Sequence, residues 1–264
     1  MTEKTIQVSV ADRVATVTLN RPEVHNAFDD HLIHELTHVL NGLGHDPGVR
    51  VVVLAGAGKN FSAGADLNWM KRMAGYSEAE NLRDAVAMAN LMHTLAGLPR
   101  PTIARVQGAA FGGGVGLVAC CDIAVAGADA SFSLSEARLG LIPAVISPHV
   151  IRAIGRRAAQ RYFLSAEKFA AQEALRIGLV HEVADPQRLD EAVARITTEL
   201  LKSGPHAVSA AKRLIVDVAD SPLNDAIVEE TARRIATIRV SPEGREGIAA
   251  FLEKRKPGWM SEDK

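Results

Sequence analysis

The chain reads as an α/β protein, a spiral of repeated β-β-α units followed by a C-terminal helical region. Three observations predict this. Strand-like runs, each followed by a glycine-rich turn and a helical stripe, recur three times before residue 135. Residues 49–55 form a nearly all-apolar run, as expected for a strand covered on both faces. Beyond Pro148 the alternation stops and helical stripes dominate. The spiral core is therefore placed at residues 1–200 and a helical oligomerisation region at 201–264.

Taken in order, Ile6, Val8 and Val10 alternate with polar neighbours, and residues 14–19 follow across Ala11-Asp12-Arg13, which predicts a β-hairpin. Pro22 then breaks the strand, because it lacks a donor and constrains its predecessor. From Asp30, the residues Leu32, Ile33, Leu36, Val39, Leu40 and Leu43 fall on one stripe, so a helix is expected that Gly42 and Gly44 end. The strand at 49–55 feeds a small-residue loop over 56–67. Leu82, Val86, Ala89, Met92 and Leu95 predict a helix over 78–98, closed by Pro99 and Pro101. Short strands are expected at 102–106, 123–126 and 131–134. Helical stripes then cover 150–154, 173–177, 189–201, 207–218, 224–238 and 242–254, with no strand among them. Pro205, Pro222 and Pro242 each stand where a helix can begin. A terminal run of this kind suits packing on a neighbouring subunit.

A net charge of −1 removes any global pull toward nucleic acid or an anionic membrane. Cys120 and Cys121 are adjacent in an apolar run, which reads as buried thiols in a reducing compartment. No apolar run opens the chain or reaches bilayer length, so a cytoplasmic protein is expected. His31, His34 and His38 form a helical row without a paired acidic base, and no metal site is expected. Ser62 and Ser135 have no histidine partner by spacing, which leaves nucleophilic catalysis unsupported. The spacing of the glycines is also wrong for a dinucleotide fingerprint.

The stretch Gly112-Gly113-Gly114-Val115-Gly116 is the least generic part of the chain. So many glycines do not suit a helix interior, since each costs about 1 kcal/mol against alanine there. They read as backbone brought close to something, opening into a short apolar helix whose first N–H groups are free for an anion. A tight turn beneath a packed helix is the competing reading.

Three spaced motifs make the chain recognisable: Phe61-Ser62-Ala63-Gly64-Ala65-Asp66-Leu67, then Gln107-Gly108 through the glycines to Cys121-Asp122-Ile123-Ala124, then Glu136-Ala137-Arg138-Leu139-Gly140-Leu141-Ile142-Pro143. In this order they resemble the crotonase family of enoyl-CoA hydratases and isomerases, and the resemblance covers nearly the whole chain. It implies that the backbone N–H groups of Ala65 and Gly113 hold the thioester oxygen of an acyl-CoA. It implies a CoA groove at Val24, Ala63, Asp66 and Leu67, with Phe251 and Lys254 reaching CoA from an adjacent subunit. No separate cofactor is implied, because CoA arrives as part of the substrate. A homo-oligomer is implied, a trimer or a dimer of trimers, without nucleic acid or membrane partners.

Family hydratases usually present two acid–base glutamates. Here the second is Glu136, whereas the first position is Gly116, which has no proton to give. Asp122 is no substitute and reads as structural. Glu136 is thus the single carried-over acid–base group, and a carboxyl in an apolar acyl pocket should have a raised pKa. On local sequence alone it would instead be a surface glutamate after Ser135 as a helix N-cap. Gly116, Asn68 and the segment 143–150 look most like the bacterial methylglutaconyl-CoA hydratase branch. Asn68, Arg138, Ser147 and His149 are candidates for holding water or a distal substrate carboxylate. The leading expectation is hydration of a 2-enoyl-CoA, with branched or carboxylated acyl groups such as that of 3-methylglutaconyl-CoA among the candidates. The alternatives are a Δ3,Δ2-enoyl-CoA isomerase using Glu136 alone, and a non-catalytic CoA- or RNA-binding protein with Arg152, Arg156, Arg157 and Arg161 as a basic face.

Overall fold

The computed structural model describes residues 4–260; the first three and last four residues of the two expected regions lie outside it. Strands β1 (Ile6–Ala11) and β2 (Val14–Leu19) form the expected antiparallel hairpin. To β2 are added, all parallel, β3 (Val51–Gly56), β4 (Thr102–Val106), β6 (Ile123–Gly127) and β9 (Glu182–Ala184), giving a sheet ordered β1-β2-β3-β4-β6-β9. A second sheet holds β5 (Ala109–Phe111), β7 (Ser131–Ser133) and β8 (Phe169–Ala170), in the order β5-β7-β8. The spiral is plainest in the middle of the chain, where β4 then β5, and β6 then β7, add one strand to each sheet before a helix follows.

The nearly all-apolar β3 is buried on both faces because its residues serve two cores. Val52 and Leu54 join the main core, while Val51 and Val53 pack with Ile103, Val125, Leu189 and Val193. The main core is closed by α1 (Asp30–His45), α3 (Glu78–Ala96) and α4 (Gly113–Cys120). The second is closed by α7 (Leu189–Lys202). Helix α1 starts where Asp29 accepts a hydrogen bond from Leu32 N–H. It does not stop at Gly42 or Gly44 but runs to His45, because Leu43 is still on the buried stripe. His31, His34 and His38 lie exposed on its outer side.

Four other features depart from the sequence reading. Strands β8 and β9 fall within the part expected to be purely helical; they are two and three residues long, too short to show periodicity. Helix α2 (Leu67–Met73), capped by Asp66, follows the loop expected over 56–67 and has no counterpart in the sequence reading. Pro205 and Pro242 do open α8 (Pro205–Ala219) and α10 (Pro242–Leu252), but Pro222 does not open α9 (Asp225–Val240). There the cap is Asn224, whose side chain accepts from Ile227 N–H. Helix α5 (Ser147–Ser165) carries a break at Gly155, where φ is 72°; α6 (Ala171–Arg176) follows it.

None of the α8 and α9 residues is buried, and Ile215, Val216, Val228, Ile235 and Val240 expose apolar surface there. The end of the chain is held to the core by Arg50, which is buried and donates to the carbonyls of Trp259 and Ser203. No described helix is long and apolar enough to cross a membrane.

Asp122 has the structural role read for it. Its Oδ2 accepts from Thr102 N (2.7 Å), Thr102 Oγ1 (2.9 Å) and Lys212 Nζ (2.7 Å), joining β4, β6 and α8. Replacing it with alanine orphans the N–H of fully buried Thr102 and leaves the largely buried Lys212 ammonium with only the carbonyl of Arg100. We predict that Asp122→Ala costs about 1–3 kcal/mol, seen as a lower urea midpoint.

Candidate active site

The glycine stretch departs from its expected form in an informative way. Only Gly112 precedes α4, with φ at 49°, a left-handed value that favours glycine. Gly113, Gly114 and Gly116 are inside the helix, and each is glycine because of what lies against it. A Cβ on Gly114 would stand 2.8 Å from Ser62 O, and one on Gly113 2.7 Å from Met88 Cε. The helical cost of glycine is accepted for close approach, and the helix start keeps its free amides.

The N–H of Gly113 is the first of α4 and has no intrahelical acceptor. The segment 62–66 runs beside it. Ser62 bridges to Ala110 on β5, and Ala65 bridges in parallel to Phe28. In the Phe28 bridge the partners are Gly64 O, which accepts from Phe28 N (2.7 Å), and Asp66 N, which donates to Phe28 O (2.7 Å). In extended chain, the N–H of Ala65 then points the opposite way, toward the β5–α4 side. Gly64 brings the strand close, since a Cβ there would lie 3.2 Å from Phe111 O. Among the described residues no acceptor is paired with the N–H of Ala65, and Ala65 is exposed. Ala65 and Gly113 thus each carry an N–H without a protein acceptor among the described residues.

Three ties fix this loop. Asp66 caps α2, accepting from Asn68 N (2.7 Å) and Trp69 N (3.2 Å), and pairs with Arg21 Nη2 at 2.9 Å. These hydrogen bonds and the nearby guanidinium outweigh burial and hold its carboxyl below the ordinary range. The fully buried Asn26, at φ 54°, donates to Ala57 O and Asn60 O. Ser62 donates to Asn26 O (2.9 Å) and is fully buried, so it is a structural group and no nucleophile. Sequence reasoning missed Asn26; its only sign was a short polar residue after the proline break.

Glu136 stands over Gly112. A Cβ on Gly112 would be 3.1 Å from Glu136 Oε1, one residue from the free amide of Gly113. The glutamate lies in a 3-10 turn over Ser135–Leu139, and Ser135 does not cap it, because the turn already begins at that residue. Glu136 Oε2 is buried without a hydrogen-bond partner. Burial raises its pKa above 4.5, opposed only by its own backbone N–H.

Gly116, where a second carboxylate was sought, is sealed. A Cβ there would stand 2.3 Å from Ile146 Cγ2, 2.9 Å from Ile146 Cβ and 3.2 Å from Met92 Cε. No side chain of any kind fits beside Ile146.

The remaining candidates divide. Val24 and Ala63 are brought together, since Ala63 N donates to His25 O at 2.9 Å, and Leu67 is exposed at the same loop. Asn68 and Arg138 are exposed. Ser147 spends its hydroxyl on Ala144 O (2.8 Å). His149 is half-buried; burial, then the nearby charges of Arg152 and His93, lower its pKa, so its ring is neutral at pH 7. Phe251 is 82% exposed and Lys254 follows it at φ 54°, both standing with the C-terminal helices rather than with the glycine turn. Two arginines of the supposed basic face are paired, Arg152 with Asp220 and Arg161 with Glu167.

A helix-start amide without an intrahelical acceptor, one residue from the glycine that Glu136 overlies, suits polarising a carbonyl and moving a proton next to it. That is the chemistry of an acyl-thioester enzyme. The chain belongs to the enoyl-CoA hydratase/isomerase family, whose model matches residues 9–262. It is similar to the 2,3-dehydroadipyl-CoA hydratase of Escherichia coli K12, at 35% identity over 95% of this chain and 96% of that one. It is also similar to the (E)-benzylidenesuccinyl-CoA hydratase of Thauera aromatica, at 32% identity over 96% and 98% of the two chains. The crystal structure of an enoyl-CoA hydratase from Shewanella pealeana superposes with a TM-score of 0.95, at 46% identity, covering 97% of this chain and 96% of that one.

Proposed function

We propose that this enzyme adds water across the double bond of a 2-enoyl-CoA, with Glu136 as its only acid–base carboxylate. The observation that carries this reading is the orphaned, half-buried carboxyl of Glu136 set over Gly112, next to the free amide at the start of α4. The amides of Ala65 and Gly113 take the thioester oxygen as it gains negative charge, and need no rearrangement to do so. Small neighbours let the carbonyl reach them. Glu136, its pKa raised by desolvation, accepts a proton from water as the oxygen adds at C3 and returns it at C2. The neutral His149 is the second polar group we assign to the acyl end. The substrate we favour carries a distal carboxylate, as 3-methylglutaconyl-CoA does. Both hydratases named above are called after acyl groups with a second carboxyl, and His149 has Arg152 nearby.

One observation favours a second reading, a Δ3,Δ2-enoyl-CoA isomerase. Ile146 leaves no room for a second carboxylate at Gly116, and a single base suffices to carry a proton from C2 to C4. Purified protein incubated with crotonyl-CoA, 3-methylglutaconyl-CoA and a 3-enoyl-CoA separates the two by product mass. Gain of water on a 2-enoyl substrate is expected. Only an isobaric product from the 3-enoyl substrate would replace hydration with isomerisation.

We further assign residues 201–264 to self-association as a trimer or a dimer of trimers. The exposed apolar residues of α8 and α9 and the position of Phe251 and Lys254 support this. The adjacent buried thiols, raised in pKa by burial, fit a cytoplasmic enzyme.

A further inference from the structure

We infer that Ile146 is the specificity-determining residue of the acyl pocket, closing it one helical turn beyond the oxyanion amide; this rests on the acyl-thioester reading of the site. Along α4 the floor beneath Glu136 carries no side chains, because it is built of Gly112, Gly113 and Gly116. Gly116 N donates to Gly112 O (3.2 Å), so these glycines follow one another on one face, about 5.4 Å per turn. An acyl group whose carbonyl oxygen meets Gly113 N and whose C2 and C3 lie under Glu136 continues along this floor. Past Gly113, flanked by Met88 Cε and the Phe28 ring, it comes to Ile146, whose Cγ2 lies 2.3 Å from where a Cβ of Gly116 would be, with Met92 Cε at 3.2 Å.

Ile146 is positioned firmly. It is 3% exposed, and its carbonyl accepts from Val150 N (3.0 Å) and His149 N (3.1 Å) at the start of α5. A β-branched side chain fixed from below by a helix and from above by Gly116 cannot move aside as a methionine can. The other apolar wall, Met88 and Met92, is adaptable. Phe28 is rigid too but stands at Gly113; Ile146 is the rigid side chain one turn further, and pocket depth is read by the fit between Ile146 and Gly116.

The test compares binding of butyryl-CoA and hexanoyl-CoA, which have no double bond to hydrate, and turnover of crotonyl-CoA and 2-hexenoyl-CoA. Ile146→Ala is expected to shift the hexanoyl-to-butyryl affinity ratio at least about tenfold toward the longer chain, the effect of methylene-sized changes in a pocket. The turnover ratio should move in the same direction. Gly116→Ala in the Ile146→Ala background refills the space and should return the ratio toward that of the parent protein. Should Ile146→Ala not fold, Ile146→Val gives a smaller shift of the same sign. A folded Ile146→Ala or Ile146→Val protein whose ratio equals the parent's overturns the inference, even where hydration is intact. Absence of hydration with a shifted binding ratio instead sinks the hydratase reading and leaves Ile146 as the stop.

Discussion

Glu136→Gln should lower turnover by about two to four orders of magnitude, the usual contribution of a positioned acid–base group, while raising stability above the pH at which the folded-state carboxyl ionises. The two effects have opposite signs for one reason. The carboxyl sits with Oε2 buried and unpartnered, and burial raises its pKa above 4.5. An acid with a raised folded-state pKa holds its proton more tightly in the folded than in the unfolded chain. Its stabilising contribution is complete below 4.5 and is lost as pH rises through the folded-state value. Once ionised, the buried carboxylate opposes folding, and a neutral amide of the same shape removes that opposition. The Tm advantage of the variant over the parent should therefore grow as pH rises from 4.5 through the folded-state value. Binding of butyryl-CoA should be retained, because the amides that hold the thioester are backbone groups. A variant with parental turnover, or one whose stability difference does not change with pH, would contradict the role given to Glu136.

The second large effect is expected from Gly113→Val. The N–H itself survives, so the change acts by shape. A Cβ at this position lies 2.7 Å from Met88 Cε and 3.2–3.3 Å from the ring of Phe28. Met88 can swing its end away, but Phe28 is 1% exposed and cannot move. The branched side chain is then pushed over the space where the thioester oxygen must sit. Loss of one oxyanion donor costs about 2.7–4 kcal/mol, or 10²–10³ in kcat. The variant should keep a parental circular dichroism spectrum, since α4 remains a helix and valine is a better helix residue than glycine. Full activity in a folded Gly113→Val protein would count against this amide as the donor.

Much of this was legible in the chain, for physical reasons that differ from residue to residue. Strands such as β3 announce themselves because both faces are buried and every residue must be apolar. The helices α1, α3 and α7 are long enough for a stripe to emerge. Strands β8 and β9 are not, and they exist because neighbouring strands offer them a partner, which no local pattern reports. The end of α1 was misplaced because glycine is a weak stop signal when burial of Leu43 favours continuation. At the site, the glycines announced close approach, but the sequence could not say to what. It showed that Gly116 lacks a proton donor. That Ile146, thirty residues further on, occupies the room such a donor would need is a tertiary fact. Glu136 was identifiable through its motif alone, because its local signature is that of any surface glutamate near a helix start. What makes it a catalytic candidate is the burial of one oxygen without a partner.

The most direct test of the central claim, that one carboxylate beside two backbone amides adds water to a 2-enoyl-CoA, is product analysis in oxygen-18 water. Crotonyl-CoA should be converted by the parent protein into a 3-hydroxyacyl-CoA carrying one solvent oxygen at C3, and by Glu136→Gln at a rate lower by about two to four orders of magnitude. A parent protein that incorporates no solvent oxygen into crotonyl-CoA or 3-methylglutaconyl-CoA, or a Glu136→Gln protein that incorporates it at the parental rate, would contradict the account.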